Sequence, residues 1–298
     1  MAATVTSGTA AVTPDPAAAH LALLCAAAEH IGPVSAPVAA PNAPGAEYVG
    51  PAPPAWVLAE YAVAGWLVGE DVVLGIDTGR IFWGWLLTTE TDAVVVLRGT
   101  EDASEWAADA EGWPVESPGL PGMVEQGFAS IYETLELMPA VAAVPASGGS
   151  PPDGATGPAA SAIAAAVGSR RVTVAGHSLG ACLAEYLTYE LTWLLPGRVR
   201  GRYFESPRPG DGDFAAAFQG RVADYRVWRY APDLVPDLPP WNTPLADVTV
   251  LPANPAICDT PLCNHHAVNV AWLIDPASTE IVPACRAAVL RGGVSSVS

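Results

Sequence analysis

Val172-Thr173-Val174-Ala175-Gly176-His177-Ser178-Leu179-Gly180 decides how the rest of this chain reads. Val172 to Ala175 is a short apolar run rich in β-branched residues, which predicts a buried strand. Gly176 to Gly180 fits G-x-S-x-G. Leu183, Leu187, Leu191 and Leu195 then recur at every fourth position, so a helix follows, and Pro196-Gly197 stops it. Strand, sharp turn and helix form the setting in which this pentapeptide presents a nucleophile. The turn strains Ser178 and exposes its hydroxyl, and the flanking residues must be glycine because a side chain there would strike the strand or the helix. Without that context, a glycine-rich turn in a chain holding 28 glycines would yield the same five letters.

Working outward, Val199 to Glu205 and Tyr225 to Tyr230 read as further strands, and Asp213 to Gln219 as a helix between them. Ala93 to Leu97 is another continuous apolar run, ending at Arg98-Gly99-Thr100. Val72 to Ile76 and Ile81 to Thr88 read as two strands joined by the turn sequence Asp77-Thr78-Gly79-Arg80. Val124 to Leu137 carries Phe128, Ile131 and Leu135 at helical spacing. Ala17 to His30, Ser161 to Val167 and His266 to Ile274 also read as helices, and Val248 to Val250 as a short strand. Trp56 to Val68 has mixed periodicity and reads as helix giving way to irregular chain. Residues 139–158 form a low-complexity Pro/Gly/Ala loop. Strands alternating with helices predict one mostly parallel α/β sheet with helices on both faces. We expect a loosely attached tail over residues 1–16 and a single domain over 17–298.

A formal charge of −18, with arginine as the sole basic residue type, argues against a nucleic-acid partner, since nothing neutralises phosphates in bulk. The amino-terminal segment lacks the basic start of a signal peptide. No run of about 20 apolar residues spans a membrane, so a soluble protein is expected, its compartment and oligomeric state open. The cysteines are Cys25, Cys182, Cys258, Cys263 and Cys285. Cys258 and Cys263 are candidates to pair, and a second pair with Cys285 or Cys25 stays open. Cys258, Cys263, His265 and His266 look like a metal cluster, but their spacing is wrong for a zinc ribbon, and no metal or cofactor is expected.

A serine hydroxyl needs a base to take its proton and a third group to hold that base. Five histidines are available: His20, His30, His177, His265 and His266. His20 and His30 lie on the first helix. His177 sits inside the turn, with its ring directed away from its neighbour's hydroxyl. His265 and His266 remain. The acid should follow a strand end between Ser178 and the base, and Asp233 does, just after Tyr225 to Tyr230. Ser–Asp–His is the chain order of α/β-hydrolases.

These residues carry a family resemblance. Val95-Val96-Leu97-Arg98-Gly99-Thr100 with Glu105-Trp106 and Asp109 resembles the strand, oxyanion turn and lid start of the fungal-type, or class three, triacylglycerol lipases. Val124 to Phe128 with Tyr132 resembles that family's following helix. Ser206-Pro207-Arg208-Pro209-Gly210 resembles its proline turn, and Arg229 to Pro240 its acid loop. Glu205 stands where the family commonly has glycine. The similarity runs over about residues 60 to 275 and implies an α/β-hydrolase fold. It implies Ser178 as nucleophile, Asp233 as the acid, and backbone N–H groups of Thr100 and Leu179 as the oxyanion hole. His266-Ala267-Val268-Asn269 fits the family's base motif better than His265 does. The segment 101–122, with a short helix at 104–110, takes the place of the lid.

The expected function is a lipase cleaving acylglycerols, with transient contact to a lipid interface. A non-lipolytic carboxylesterase for short or aromatic acyl esters is the alternative, and a catalytically silent lipase-like binding protein is the alternative of another class. Thr100 also fits a helix cap, and Trp106, Trp113 and Trp241 fit either core filling or acyl-chain contact.

Overall fold

The computed structural model describes residues 13–30, 50–73, 76–100, 113–140 and 158–287. The chain opens with α1 (Pro16–Glu29), capped by Asp15, whose side chain accepts from the Ala18 N–H at 3.0 Å. The short α2 (Ala55–Leu58) leads into β1 (Ala62–Val73), β2 (Ile76–Thr88) and β3 (Asp92–Leu97). A two-stranded ribbon of β4 (Pro114–Val115) and β5 (Val124–Glu125) precedes α3 (Gln126–Thr134) and β6 (Glu136–Pro139). Then come α4 (Pro158–Val167), β7 (Arg171–His177), α5 (Leu179–Leu194), β8 (Val199–Phe204), α6 (Gly212–Arg221), β9 (Tyr225–Tyr230) and β10 (Val248–Leu251). Two α-helices follow, α7 (Pro261–Asn264) and α8 (Ala267–Ile274), and a single 3-10 turn at Pro283–Cys285 lies near the end of the described residues.

Eight strands form one sheet in the order β10-β9-β8-β7-β3-β2-β1-β6. From β10 to β3 all neighbours are parallel, while β3-β2, β2-β1 and β1-β6 are antiparallel. The reason lies in the composition of the central strands. Val94 to Leu97 and Val172 to Ala175 are buried on both faces, as a strand with helices on either side requires. One face packs against α3, α4, α5 and α6 through Phe128, Ile163, Leu183, Leu187 and Phe214. The other packs against α1 and α8 through Leu24, Cys25, Val270 and Ile274.

The sequence reading departs from this arrangement in three elements. Asp77 to Arg80, expected as the turn between two strands, lie within β2, with Asp77 paired to Val72 and Arg80 to Glu70, and Ile76 opens β2 rather than ending the strand before it. Residues 62–68 are strand, not irregular chain, because β1 bonds β2 on one side and β6 on the other. The helix expected to run to Leu137 ends at Thr134, and Leu137 lies in β6, paired with Leu67. The apolar spacing that mimics a continuing helix there serves a strand edge instead. The helix expected at 104–110, most of the low-complexity loop and the tail before residue 13 lie outside the described residues. Among the described residues, no helix is long and apolar enough to cross a membrane.

Candidate active site

All the groups expected at the site sit at the carboxyl edge of the parallel strands. Ser178 follows β7 and opens α5 with φ 56° and ψ −132°, a region that side chains other than glycine rarely occupy. The two glycines around it are forced by close approach. A Cβ on Gly176 would lie 2.2 Å from the Gly180 carbonyl oxygen, and one on Gly180 would lie 2.2 Å from that of Arg98. The strand-to-helix turn therefore packs directly on the end of β3, which brings the Gly99-Thr100 turn against Ser178.

Asp233, itself buried, lies in the loop after β9, and its Oδ1 accepts from the Val235 N–H at 3.1 Å. His265 is the first of the two residues between α7 and α8. Its Nδ1 lies 2.6 Å from Asp233 Oδ2, and its Nε2 lies 2.7 Å from Ser178 Oγ. Burial pushes the Asp233 carboxyl up, but the hydrogen bond and charge of His265 outweigh this and hold it below the ordinary aspartate range. An ionised Asp233 accepts from Nδ1–H, which leaves Nε2 as the acceptor of the serine proton.

The base expectation is corrected here. His266 does not reach Ser178. It caps α8, with Nδ1 accepting from the Val268 N–H at 3.2 Å, and its ring stacks on His30 at 5.5 Å. Consecutive residues point in different directions, so the single-residue shift exchanges a helix cap for the residue facing the serine. Burial lowers the His266 value to about 4.

Asp237 is turned elsewhere, 2.8 Å and 2.5 Å from the guanidinium of Arg229 and 3.2 Å from Arg208. The cysteine reading is corrected too. Cys263 is disulfide-bonded to Cys285, not to Cys258. An oxidised Cys263 also removes the cysteine–histidine cluster as a metal site. Trp113 and Trp241 are exposed, so neither is a core filler.

Two carboxylates, the partly buried Glu29 and the buried Glu205, went unmarked as site residues in the sequence. Glu29, the last residue of α1, accepts from the Gly99 N–H at 3.0 Å and lies 2.5 Å from His177 Nδ1. His177 Nε2 lies 2.9 Å from the His265 carbonyl oxygen. Acceptors on both ring nitrogens favour the imidazolium, and the neighbouring carboxylate raises His177 against the opposing effect of burial. Burial likewise opposes ionisation of Glu29, but His177 prevails and holds it at about 2. One ion pair, Glu29–His177, thus links the Gly99-Thr100 turn, the serine turn and the backbone of His265. Glu205, the other carboxylate, sits after β8 beside Asp233. Its departure from glycine is visible in the sequence, whereas nothing local marks Glu29, whose partner His177 is 148 residues away.

Thr100 Oγ1 is buried with no hydrogen-bond partner among the described residues. Leu179 is the first residue of α5, where N–H groups have no acceptor within the helix. A mostly parallel sheet with a serine at a strand–helix turn defines the α/β-hydrolase class. Residues 94–243 match the family model Lipase (class 3), and the chain belongs to that family. It is 30% identical over 177 residues to phospholipase A1-II 2 of Oryza sativa subsp. indica, a match covering 50% of this chain and 41% of the rice protein. The chain therefore spans well under half the length of that relative. The fold is similar to that of a mutant of MDLA from Penicillium cyclopium, at TM-score 0.51 and 15% identity over 84% of this chain and 87% of that one. It is also similar to a triacylglycerol lipase from Penicillium expansum, at TM-score 0.50 and 14% identity over 82% of each chain.

Proposed function

We propose that this protein is a serine hydrolase that cleaves the carboxylic esters of acylglycerols through an acyl-enzyme on Ser178. The hydrogen-bonded chain Ser178–His265–Asp233 carries the reading. Ser178 Oγ attacks the ester carbonyl as His265 Nε2 takes its proton. Asp233 fixes the tautomer and stabilises the imidazolium. The N–H groups of Thr100 and Leu179 receive the oxyanion, each donor contributing a few kcal/mol, and the Thr100 hydroxyl, without a partner among the described residues, can add a third. His265 then protonates the leaving alcohol, and water repeats the sequence to release the acid.

A lipid substrate is supported over a small soluble ester by large apolar side chains beside the site residues in sequence. Leu234, next to Asp233, is 71% exposed, and Leu262, in the helix before His265, is 69% exposed. Trp113, 75% exposed, lies within the segment 101–122 proposed as the lid. The rice relative's name brings phospholipids into the same class of substrate. Rates against p-nitrophenyl esters of increasing chain length test the reading. A rise toward long acyl chains, with a jump for tributyrin at its solubility limit that Trp106→Ala reduces, supports a lipase with a lid. A preference for acetate and smooth saturation would leave a carboxylesterase, and failure of Ser178 to label with a fluorophosphonate would leave a silent binding protein.

A further inference from the structure

We propose that Glu205 is an un-ionised carboxylic acid that donates its proton to Asp233 and so acts as a positioning residue behind the Ser178–His265–Asp233 chain, an inference that rests on the catalytic reading above. Glu205 is fully buried and has φ 50°, in the left-handed region where a side chain is unfavourable. Such an outlier points to a function for the side chain that is kept there. One carboxyl oxygen, Oε1, accepts from the Tyr230 N–H at 2.7 Å. The other, Oε2, receives no N–H or O–H donor among the described residues. The Glu205 and Asp233 carboxyls are buried side by side, with a carboxylate oxygen of each and a ring nitrogen of His265 all within 4.8 Å of one another.

Two carboxylates in buried contact do not both ionise, so one proton must lie between them. The donors decide which keeps it. Asp233 is served by His265 Nδ1 and the Val235 N–H, whereas Glu205 has the Tyr230 N–H alone. The negative charge rests on Asp233 and the proton on Glu205. Burial and then the Asp233 charge push Glu205 well above the glutamate range, in the same sense. The other charged groups facing the pair leave this unchanged. Arg229 is engaged by Asp237, and His177 by Glu29. A neutral Glu205 draws charge from Asp233 and holds its carboxyl plane toward His265 without adding a second anion beside the base.

The test compares Glu205→Gln and Glu205→Gly in the full chain, with a soluble p-nitrophenyl ester as substrate. Glycine accommodates the backbone, so that variant should unfold at or above the parental temperature. Its kcat should fall roughly tenfold to a hundredfold with little change in KM, as misplacement of a reacting group predicts. The acid limb of its kcat/KM profile should move to higher pH, because an unshared Asp233 holds the imidazolium more tightly. Glutamine supplies a neutral donor and should recover most of the kcat lost in Glu205→Gly, with the acid limb where the parent has it.

If Glu205 were an anion, Glu205→Gln would remove a negative charge beside His265 and shift that limb to lower pH. That shift, or parental kcat in Glu205→Gly, overturns the proposal. Infrared spectroscopy reads the proton without turnover. The parent minus Glu205→Gln difference spectrum at neutral pH should contain one un-ionised carboxyl band, and a carboxylate band in its place also overturns the proposal. Failure of the catalytic reading shows separately, as a Ser178→Ala variant that keeps the parental rate.

Discussion

Ser178 and His265, the proposed nucleophile and base, are held in opposite ways. Ser178 is fixed by backbone. β7 is hydrogen-bonded on both sides, and the turn around Ser178 is closed by glycine contacts too tight for any side chain. His265 sits between two short helices and owes its position to side chains. Asp233 holds its ring, His177 bonds its carbonyl, Asn269 bonds the Cys263 carbonyl at 2.9 Å, and the Cys263–Cys285 bridge ties down α7. A site can thus combine one reactive group set by the sheet with another set by a network of tethers. Damage to tethers should affect the base long before it reaches the serine.

The sharpest break in this comparison is removal of the reacting groups. Ser178→Ala and His265→Ala should each lower kcat by roughly five to six orders of magnitude, as members of a unit do, with thermal unfolding near the parental value. His266→Ala should instead keep most of kcat. The reverse order for the two histidines would return the base to the position the sequence motif favours. Next in size, Asp233→Asn keeps the shape but favours the wrong tautomer, and a loss of about 10⁴ in kcat is expected from single-turnover rates.

Glu29→Gln tests the tether that joins both halves. Breaking a buried ion pair should lower the unfolding free energy by about 3 kcal/mol in urea titrations. In the parent, a Glu29 carboxyl held at about 2 against an ordinary value near 4.5 adds stability above that ordinary value and loses it as pH falls toward about 2. His177, raised above an ordinary value near 6.5, works in the other direction, its share present below that value and lost as pH climbs through the raised one. The variant should show a flatter dependence at both ends. An unchanged pH–stability curve would remove the ion pair from the account. The smallest effect belongs to His266→Ala, where losing the cap of α8 should cost about 1 kcal/mol in unfolding free energy.

The same contrast explains how far the sequence could be read. β3 and β7 are short apolar runs, β8 and β9 mix arginine with aromatic and β-branched residues, and the serine turn carries its own local grammar, so the central sheet and the places of Ser178 and Asp233 were legible. β1 was not, because Gly65, Gly69 and Glu70 interrupt its pattern and its pairing comes from β2 and β6. β6 hid behind the helical spacing of Phe128, Ile131 and Leu135 just before it. The base was misread by one residue because both histidines precede an apolar helix, and only the direction of each side chain separates a cap from a base. Glu29 remained invisible since its contacts span the chain from α1 to β7.

The parallel run from β10 to β3 has a practical consequence at its other edge. Every turn that feeds those strands lies away from the serine, and three glycines there, Gly168, Gly197 and Gly220, have no atom within 4 Å of the place a Cβ would take. Gly168 and Gly197 have positive φ, but exposed Gly220 near the end of α6 does not. A Gly220→Cys variant would therefore offer a thiol for coupling to a solid support or a fluorophore, with the serine edge left facing outward into an emulsion.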